Sequence, residues 1–212
     1  MSPAAPYIAI AGNIGAGKSS FVSFLAHHYD VDAIEEPNAT NPFLVRFYRD
    51  MPRWAFHSQV YFLSAKVGLQ RTIGTSQRPI VHDRTLWEDG EIFAAHLARR
   101  GCMDPDEFRT YRTLFDELSQ TLRPPDLLIY LRCPHAVLRR RIRRRGRSEE
   151  QALPRGYLAA LEALYDAWYD AWTLSPKWVL PTDRIDPVAD VLDHADILAR
   201  MDPWLTRRTP TG

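Results

Sequence analysis

The chain has 212 residues, 45% of them hydrophobic and 25% charged, with a formal net charge of +1. That length suits one α/β domain, residues 1–212, better than two, and the near-neutral charge argues against nucleic acid or a membrane surface as partner. Cys102 and Cys133 stand far apart in no metal or redox spacing, and no apolar run approaches the ~20 residues that span a bilayer.

Met1 to Pro6 lacks the basic start and apolar centre of a secretory signal, so a reducing, cytoplasmic setting is expected. Residues 7–11 read as a short buried strand. Gly12-Asn13-Ile14-Gly15-Ala16-Gly17-Lys18-Ser19 then fits the phosphate-loop pattern G-x-x-x-x-G-K-[ST] at every fixed position. Ser20 continues into a helix with Phe21, Phe24 and Leu25 on one face. Strand, glycine loop and helix together aim backbone N–H groups and a helix N-terminus at phosphate oxygens. Lys18 can reach the β- and γ-phosphates, and the Ser19 hydroxyl can ligand Mg²⁺. The whole stretch from Gly12 to Ser20 is expected to bind a nucleoside triphosphate.

A second strand is expected at 31–35, and Glu35-Glu36-Pro37 leaves its carboxyl end. In an open α/β sheet that end faces the ligand, so a carboxylate there can take a proton from an attacking hydroxyl; a solvated loop is the alternative. Residues 53–73 carry Phe56, Val60, Leu63 and Val67 at helical spacing, beside a mixed stripe of Ala55, Gln59, Phe62 and Lys66. A third strand, 79–82, delivers Asp83 and Arg84. Asp83 can help hold Mg²⁺, and Arg84 can orient the Glu36 carboxylate and the acceptor hydroxyl; a surface ion pair is the alternative.

Helices are expected at 87–99 and 105–120. Pro124-Pro125 precedes a strand at 126–131, and Pro134 opens a helix over 134–144. Residues 139–147 hold seven arginines. Such a run reads as a nucleic-acid surface, a solvated helix face, or a lid that carries positive charge over a triphosphate. Gly146 breaks the helix where the chain would fold over the nucleotide, and the rest of the chain lacks excess positive charge, which favours a lid at about 143–151. A helix at 155–173, a strand at 177–180, a helix at 188–201 and a loose tail at about 206–212 complete the chain. The expected fold is α/β, a phosphate-loop NTPase-like three-layer arrangement. It has a central five-stranded parallel sheet, helices on both faces and an arginine-rich lid.

With these pieces placed, the chain resembles the deoxynucleoside kinases, the group that includes deoxycytidine, deoxyguanosine and bacterial deoxyadenosine kinases. The resemblance runs from about residue 7 to 172. It is carried by the phosphate loop, Glu36-Pro37, Asn41-Pro42-Phe43-Leu44 and Phe47-Tyr48. It continues through Arg53 to Leu63, Asp83-Arg84-Thr85, Glu88-Asp89, Ile92-Phe93-Ala94 and Arg145-Gly146-Arg147-Ser148-Glu149-Glu150. It implies transfer of the ATP γ-phosphoryl, with Mg²⁺, to the 5′-hydroxyl of a deoxynucleoside, a nucleotide-salvage reaction, by a homodimer joined through helices.

At matching positions the resemblance makes Glu36 the general base with Arg84 beside it. Tyr48 and Glu150 would hold the sugar 3′-hydroxyl. Gln59 would pair with the base, assisted by Asp89, and Phe93 would stack on it. Arg141, Arg145 and Arg147 would be lid arginines. Lys66 stands where some relatives use an arginine in the base pocket. Asn41-Pro42 and Asp83-Arg84-Thr85 lean toward the bacterial deoxyadenosine branch, which often also takes deoxycytidine, with deoxyguanosine second.

Two rivals fit less well. A thymidylate kinase-like enzyme needs a cation, Arg-Glu-Pro, where this chain has Glu35-Glu36-Pro37, and the carboxylate would repel a phosphorylated acceptor. A nucleotide-switched RNA-binding module would rest on the arginine run alone.

Overall fold

Five apolar runs, each separated by helical chain, form one parallel sheet in the order β2-β3-β1-β4-β5. The computed structural model describes residues 5–151, 153–183 and 191–206. β1 (Tyr7–Ala11) is wholly buried, as a central strand covered on both faces must be. β3 (Ile80–Asp83) and β4 (Leu127–Arg132) flank it, and β2 (Asp32–Ile34) and β5 (Lys177–Pro181) form the edges. All five strands lie within one residue of their expected bounds. The register sets Ile10 beside Asp83 and Ala11 beside Tyr130. The phosphate loop therefore leaves the middle of the sheet next to the end of β3, where strand order reverses and open α/β sheets bind their ligands.

α1 (Lys18–His28) follows the loop and buries Phe21, Val22 and Leu25. Gly17 caps it at φ 99, in the left-handed region that glycine enters without the penalty of a side chain. α2 (Leu44–Arg49) is a short helix that the sequence pattern does not announce. α3 (Met51–Thr75) begins where the Asp50 carboxylate accepts the Arg53 N–H, with Pro52 in its first turn. Its most buried face is the mixed stripe of Ala55, Gln59, Phe62 and Lys66, whereas Phe56, Val60 and Val67 are only half-buried.

The helix expected at 87–99 needs correction. It is built from α4 (Leu86–Glu88), a π-helical segment (Asp89–Ala94) and α5 (Ala95–Arg99). Asp89 and Phe93 share the i, i+4 spacing of an ordinary helix, so the pattern does not reveal the wider turn. Within it Gly90 lies against the Phe115 ring of α6 (Pro105–Ser119), where a Cβ would come within 2.3 Å. α7 (His135–Arg145) carries most of the arginine run and ends at Gly146. α8 (Ser148–Gln151), α9 (Tyr157–Ala171) and α10 (Val191–Met201) follow. The expectations for residues 188–190 and for the tail beyond Thr206 lie outside the described residues. Among the described residues no helix is long and apolar enough to cross a membrane.

Candidate active site

The phosphate loop is held from both sides. The Asn13 amide donates to the Leu158 carbonyl of α9 at 3.0 Å, while its oxygen accepts the Ile14 N–H at 2.8 Å. Lys18 Nζ donates to the carbonyls of Gly12 (2.9 Å) and Asn13 (3.3 Å). Burial, helped by Arg84 and opposed by Asp83, pushes the Lys18 pKa down. Its partners are neutral backbone oxygens, which an anionic phosphate oxygen can replace with a gain in charge pairing. Gly12, Asn13 and Ala16 are buried behind the cleft, whereas Ile14, Gly15, Gly17, Lys18, Ser19 and Ser20 line it.

Ser19 Oγ donates to Asp83 Oδ2 at 2.6 Å. Asp83 Oδ1 is buried with no hydrogen-bond partner and lies 3.9 Å from Lys18 Nζ. A hydroxyl and a carboxylate with one unsatisfied buried oxygen, beside a phosphate cradle, fit Mg²⁺, which takes few protein oxygens and shares the rest with phosphates and water.

Across the cleft, Arg84 Nη1 donates to Glu36 Oε1 at 2.6 Å and Asn38 Nδ2 donates to Glu36 Oε2 at 2.8 Å. Burial alone would raise the Glu36 pKa. The Arg84 guanidinium, with Lys66, Lys18 and the Asn38 bond, overrides it and holds the carboxyl well below its usual range. Arg84 adopts φ 63, a conformation that costs a non-glycine residue on the order of 1 kcal/mol or more. Its own N–H on the Ile10 carbonyl (3.0 Å) and the Glu36 pair hold it there. The guanidinium also lies 4.3 Å from the centre of the Phe93 ring.

Deeper in, Lys66 pairs with Asp89 at 2.6 Å and donates to the Thr85 carbonyl at 3.1 Å. Burial, opposed by Lys66 and Arg84, pushes Asp89 up to about 6. Gln59 Oε1 is buried without a partner. Gln59, Asp89, Phe93, Tyr48 and Arg84 share an inner chamber of about 30 Å³. The outer cleft measures about 370 Å³ and brings Glu36, Tyr48, Asp83, Arg84, Arg145, Arg147 and Glu150 together.

The arginine run divides. Arg145 and Arg147 line the cleft, and both pair with the buried Glu150, the second at 3.5 Å. Arg141 is directed elsewhere: its guanidinium donates to the carbonyls of Ala16 (3.2 Å) and Thr182 (2.5 Å). Arg139, Arg140, Arg143 and Arg144 are exposed. Lys66 reaches the site through Asp89 and does not line the cleft.

Three residues in this arrangement escape a reading of the sequence. Asn38 follows Glu36 by two positions and donates back to its carboxylate, a contact that no local pattern in the sequence signals. Glu88 sits in a Thr-x-x-Glu capping box, which signals the helix start but no distant contact. Tyr157, lining the inner chamber, carries no local signal.

A glycine loop that presents a lysine and a serine, faced by a carboxylate–arginine pair, defines a phosphate-loop phosphotransferase. The pattern of the deoxynucleoside kinase family matches residues 8–205. The chain is 34% identical over 185 residues to the deoxyadenosine/deoxycytidine kinase of Bacillus subtilis (strain 168), covering 86% of this chain and 85% of the other. It is 33% identical over 207 residues to the deoxyadenosine kinase of Lactobacillus acidophilus, covering 93% and 95%. A solved deoxyadenosine kinase from M. mycoides with bound dATP superposes with a TM-score of 0.77 at 27% identity, covering 93% of this chain and 99% of that one. The chain belongs to the deoxynucleoside kinase family, and its activity is that of a deoxynucleoside kinase.

Proposed function

We propose that the enzyme transfers the γ-phosphoryl of ATP to the 5′-hydroxyl of deoxyadenosine, and also of deoxycytidine, to give the 5′-monophosphate. The observation that carries this reading is the Glu36–Arg84 pair, a half-buried carboxylate on a buried guanidinium, facing Lys18 across one cleft. Glu36 holds the 5′-hydroxyl and receives its proton, and Arg84 fixes the carboxylate in place. A carboxyl this acidic is a weak base, which suits a loose phosphoryl-transfer transition state where the hydroxyl loses its proton late. Lys18 places charge on the β- and γ-phosphates. Ser19 and Asp83 would hold Mg²⁺, which neutralises charge on the same oxygens. Arg145 and Arg147 exchange Glu150 for phosphate oxygens when the lid closes, and Glu150 then shares the sugar 3′-hydroxyl with Tyr48.

The base preference draws on the relatives' names and on chemistry in the chamber. Asp89 offers an acceptor to an exocyclic amino group, which adenine and cytosine carry where guanine carries a carbonyl. Gln59 supplies a donor and an acceptor to the same edge, and Phe93 packs on the ring. A homodimer joined through helices, as the family resemblance implies, completes the proposal. The free, buried Cys102 and Cys133 support a cytoplasmic setting.

Incubation of the purified chain with Mg-ATP and each of deoxyadenosine, deoxycytidine, deoxyguanosine, thymidine and adenosine tests the proposal. Deoxyadenosine is expected to give the highest kcat/KM, followed by deoxycytidine. Deoxyguanosine on top overturns the base preference, adenosine on top overturns the preference for deoxy sugars, and no monophosphate from any of them sinks the reading.

A pH series separates the two carboxylates. Glu36 stays ionised between pH 5 and 8, while Asp89 gains a proton as pH falls through about 6 and loses acceptor capacity. The KM for deoxyadenosine is therefore expected to rise from pH 7 to pH 5 with little change in kcat. A KM that is flat or falls over that range removes Asp89 from base recognition.

A further inference from the structure

We infer that Glu88 is a positioning residue that locks the phosphate loop to the acceptor side of the site through one buried carboxylate. Glu88 is fully buried. Its Oε2 accepts the Thr85 N–H at 2.8 Å and the Thr85 hydroxyl at 3.3 Å. Its Oε1 accepts the Gly12 N–H at 3.2 Å and the Tyr165 hydroxyl at 2.8 Å. The Thr85 N–H contact is one half of the capping box of α4, whose other half is the Glu88 N–H on the Thr85 side chain. The Oε1 pair of contacts reaches the first glycine of the phosphate loop, 76 residues away.

Capping does not explain a carboxylate here, because glutamine completes a capping box as well as glutamate does. The two backbone N–H groups do explain it. Each carboxylate oxygen faces one of them, and a backbone N–H can only donate. A glutamine amide turned either way would set its own NH₂ against the Gly12 or the Thr85 N–H. Burial pushes the Glu88 pKa up, and Arg84, Lys18, Lys66 and the Thr85 N–H oppose it.

Both ends of this bridge lead to groups that meet substrate. Gly12 presents its carbonyl to Lys18 Nζ at 2.9 Å. Thr85 follows Arg84 and presents its carbonyl to Lys66 at 3.1 Å. Glu88 thus sets the distance between the group that charges the donor phosphates and the groups that orient the acceptor. It touches neither substrate. Loss of that spacing acts on the transition state, where both substrates must align, more than on the binding of either one.

The test rests on the phosphotransfer reading above, and wild-type enzyme in the same assay keeps the two apart: an inactive wild type sinks that reading, not this one. Glu88→Gln is expected to lower kcat roughly tenfold to hundredfold, the effect of a buried donor left unpaired, with the KM values for deoxyadenosine and ATP within about threefold of wild type. Tyr165→Phe removes a partner of Oε1 that a carboxylate can spare. It is expected to lower the melting temperature while keeping kcat within about threefold of wild type. Should Glu88→Gln fail to fold, Glu88→Asp replaces it; its carboxylate keeps the charge but is one methylene too short to span Thr85 and Gly12, and the same kcat loss is expected. Wild-type kcat in the folded Glu88 variant overturns the proposal. So does a kcat loss in Tyr165→Phe equal to that of the Glu88 variant, which would mark the contact as fold support alone.

Discussion

Glu36→Gln is expected to lower turnover by roughly 10²–10⁴-fold while nucleotide binding persists. The amide keeps the shape of the carboxylate but cannot accept the proton of the 5′-hydroxyl. The local frame tolerates the change: the Gln oxygen can still accept from Arg84, and Asn38 can turn its own amide so that its oxygen receives the new NH₂. Arg84 loses its nearest counter-charge, so a lower melting temperature accompanies the kinetic loss. Because the Glu36 carboxyl is held so acidic, the loss belongs toward the lower end of that range; a strong base would have contributed more. Steady-state kinetics with deoxyadenosine and a nucleotide-binding titration measure both halves. Near-normal turnover would move the base role to Glu35 or Asp83. Glu35→Gln is the paired control: Glu35 is exposed at the cleft rim, and a change of a few-fold at most is expected.

Lys18→Ala and Ser19→Ala are both expected to cost on the order of 10²–10³-fold in kcat, for different reasons. Lys18 supplies a charge that the cleft cannot replace, and its loss also frees the Gly12 and Asn13 carbonyls it now binds. Ser19 supplies one oxygen to the metal, and Asp83 survives its loss with both oxygens available. Raising Mg²⁺ is therefore expected to restore part of the Ser19→Ala activity and none of the Lys18→Ala activity. Equal rescue of the two variants would contradict the assignment.

Much of this site is readable from local sequence because the chemistry is local. The phosphate loop needs glycines, Lys18 and Ser19 in one fixed order between a strand and a helix, and no other arrangement of the backbone serves. The strands are legible for a related reason: each is a short run bounded by a breaker or a charge, with the three central ones buried and the edge strands β2 and β5 only partly so, and their ends move by no more than one residue. What escaped depends on distance or on geometry hidden by spacing. The π-helical turn keeps Asp89 and Phe93 four positions apart, as an ordinary helix does. The short α2 is too brief to show a period. Arg141 shares a run with Arg145 and Arg147, and only the folded chain shows that it donates to Ala16 and Thr182 instead of facing the cleft. On α3 the mixed stripe lies inward and much of the apolar one outward, the reverse of a plain hydrophobicity rule, because Gln59 and Phe62 line the chamber and Lys66 pairs with Asp89 behind it. Glu88 shows the limit most plainly: its partners at Gly12 and Tyr165 are 76 and 77 residues away.

The strand order has a consequence for inheritance. β1 carries the phosphate loop at the centre, β2 and β3 lie on one side of it, and β4 and β5 on the other. The groups proposed to meet the base, namely Gln59, Asp89 and Phe93, arise from elements that precede or follow β3, all before residue 100. The arginine run and Thr182 come after β4 begins. The base contacts and the arginines of the lid therefore fall on separate stretches of the gene, whereas the phosphate loop and Asp83 lie on the same stretch as the base contacts. A lineage can revise which nucleoside it salvages by point changes at the few positions from Gln59 to Phe93 that meet the base, and leave both the phosphate loop and the arginine run as they were.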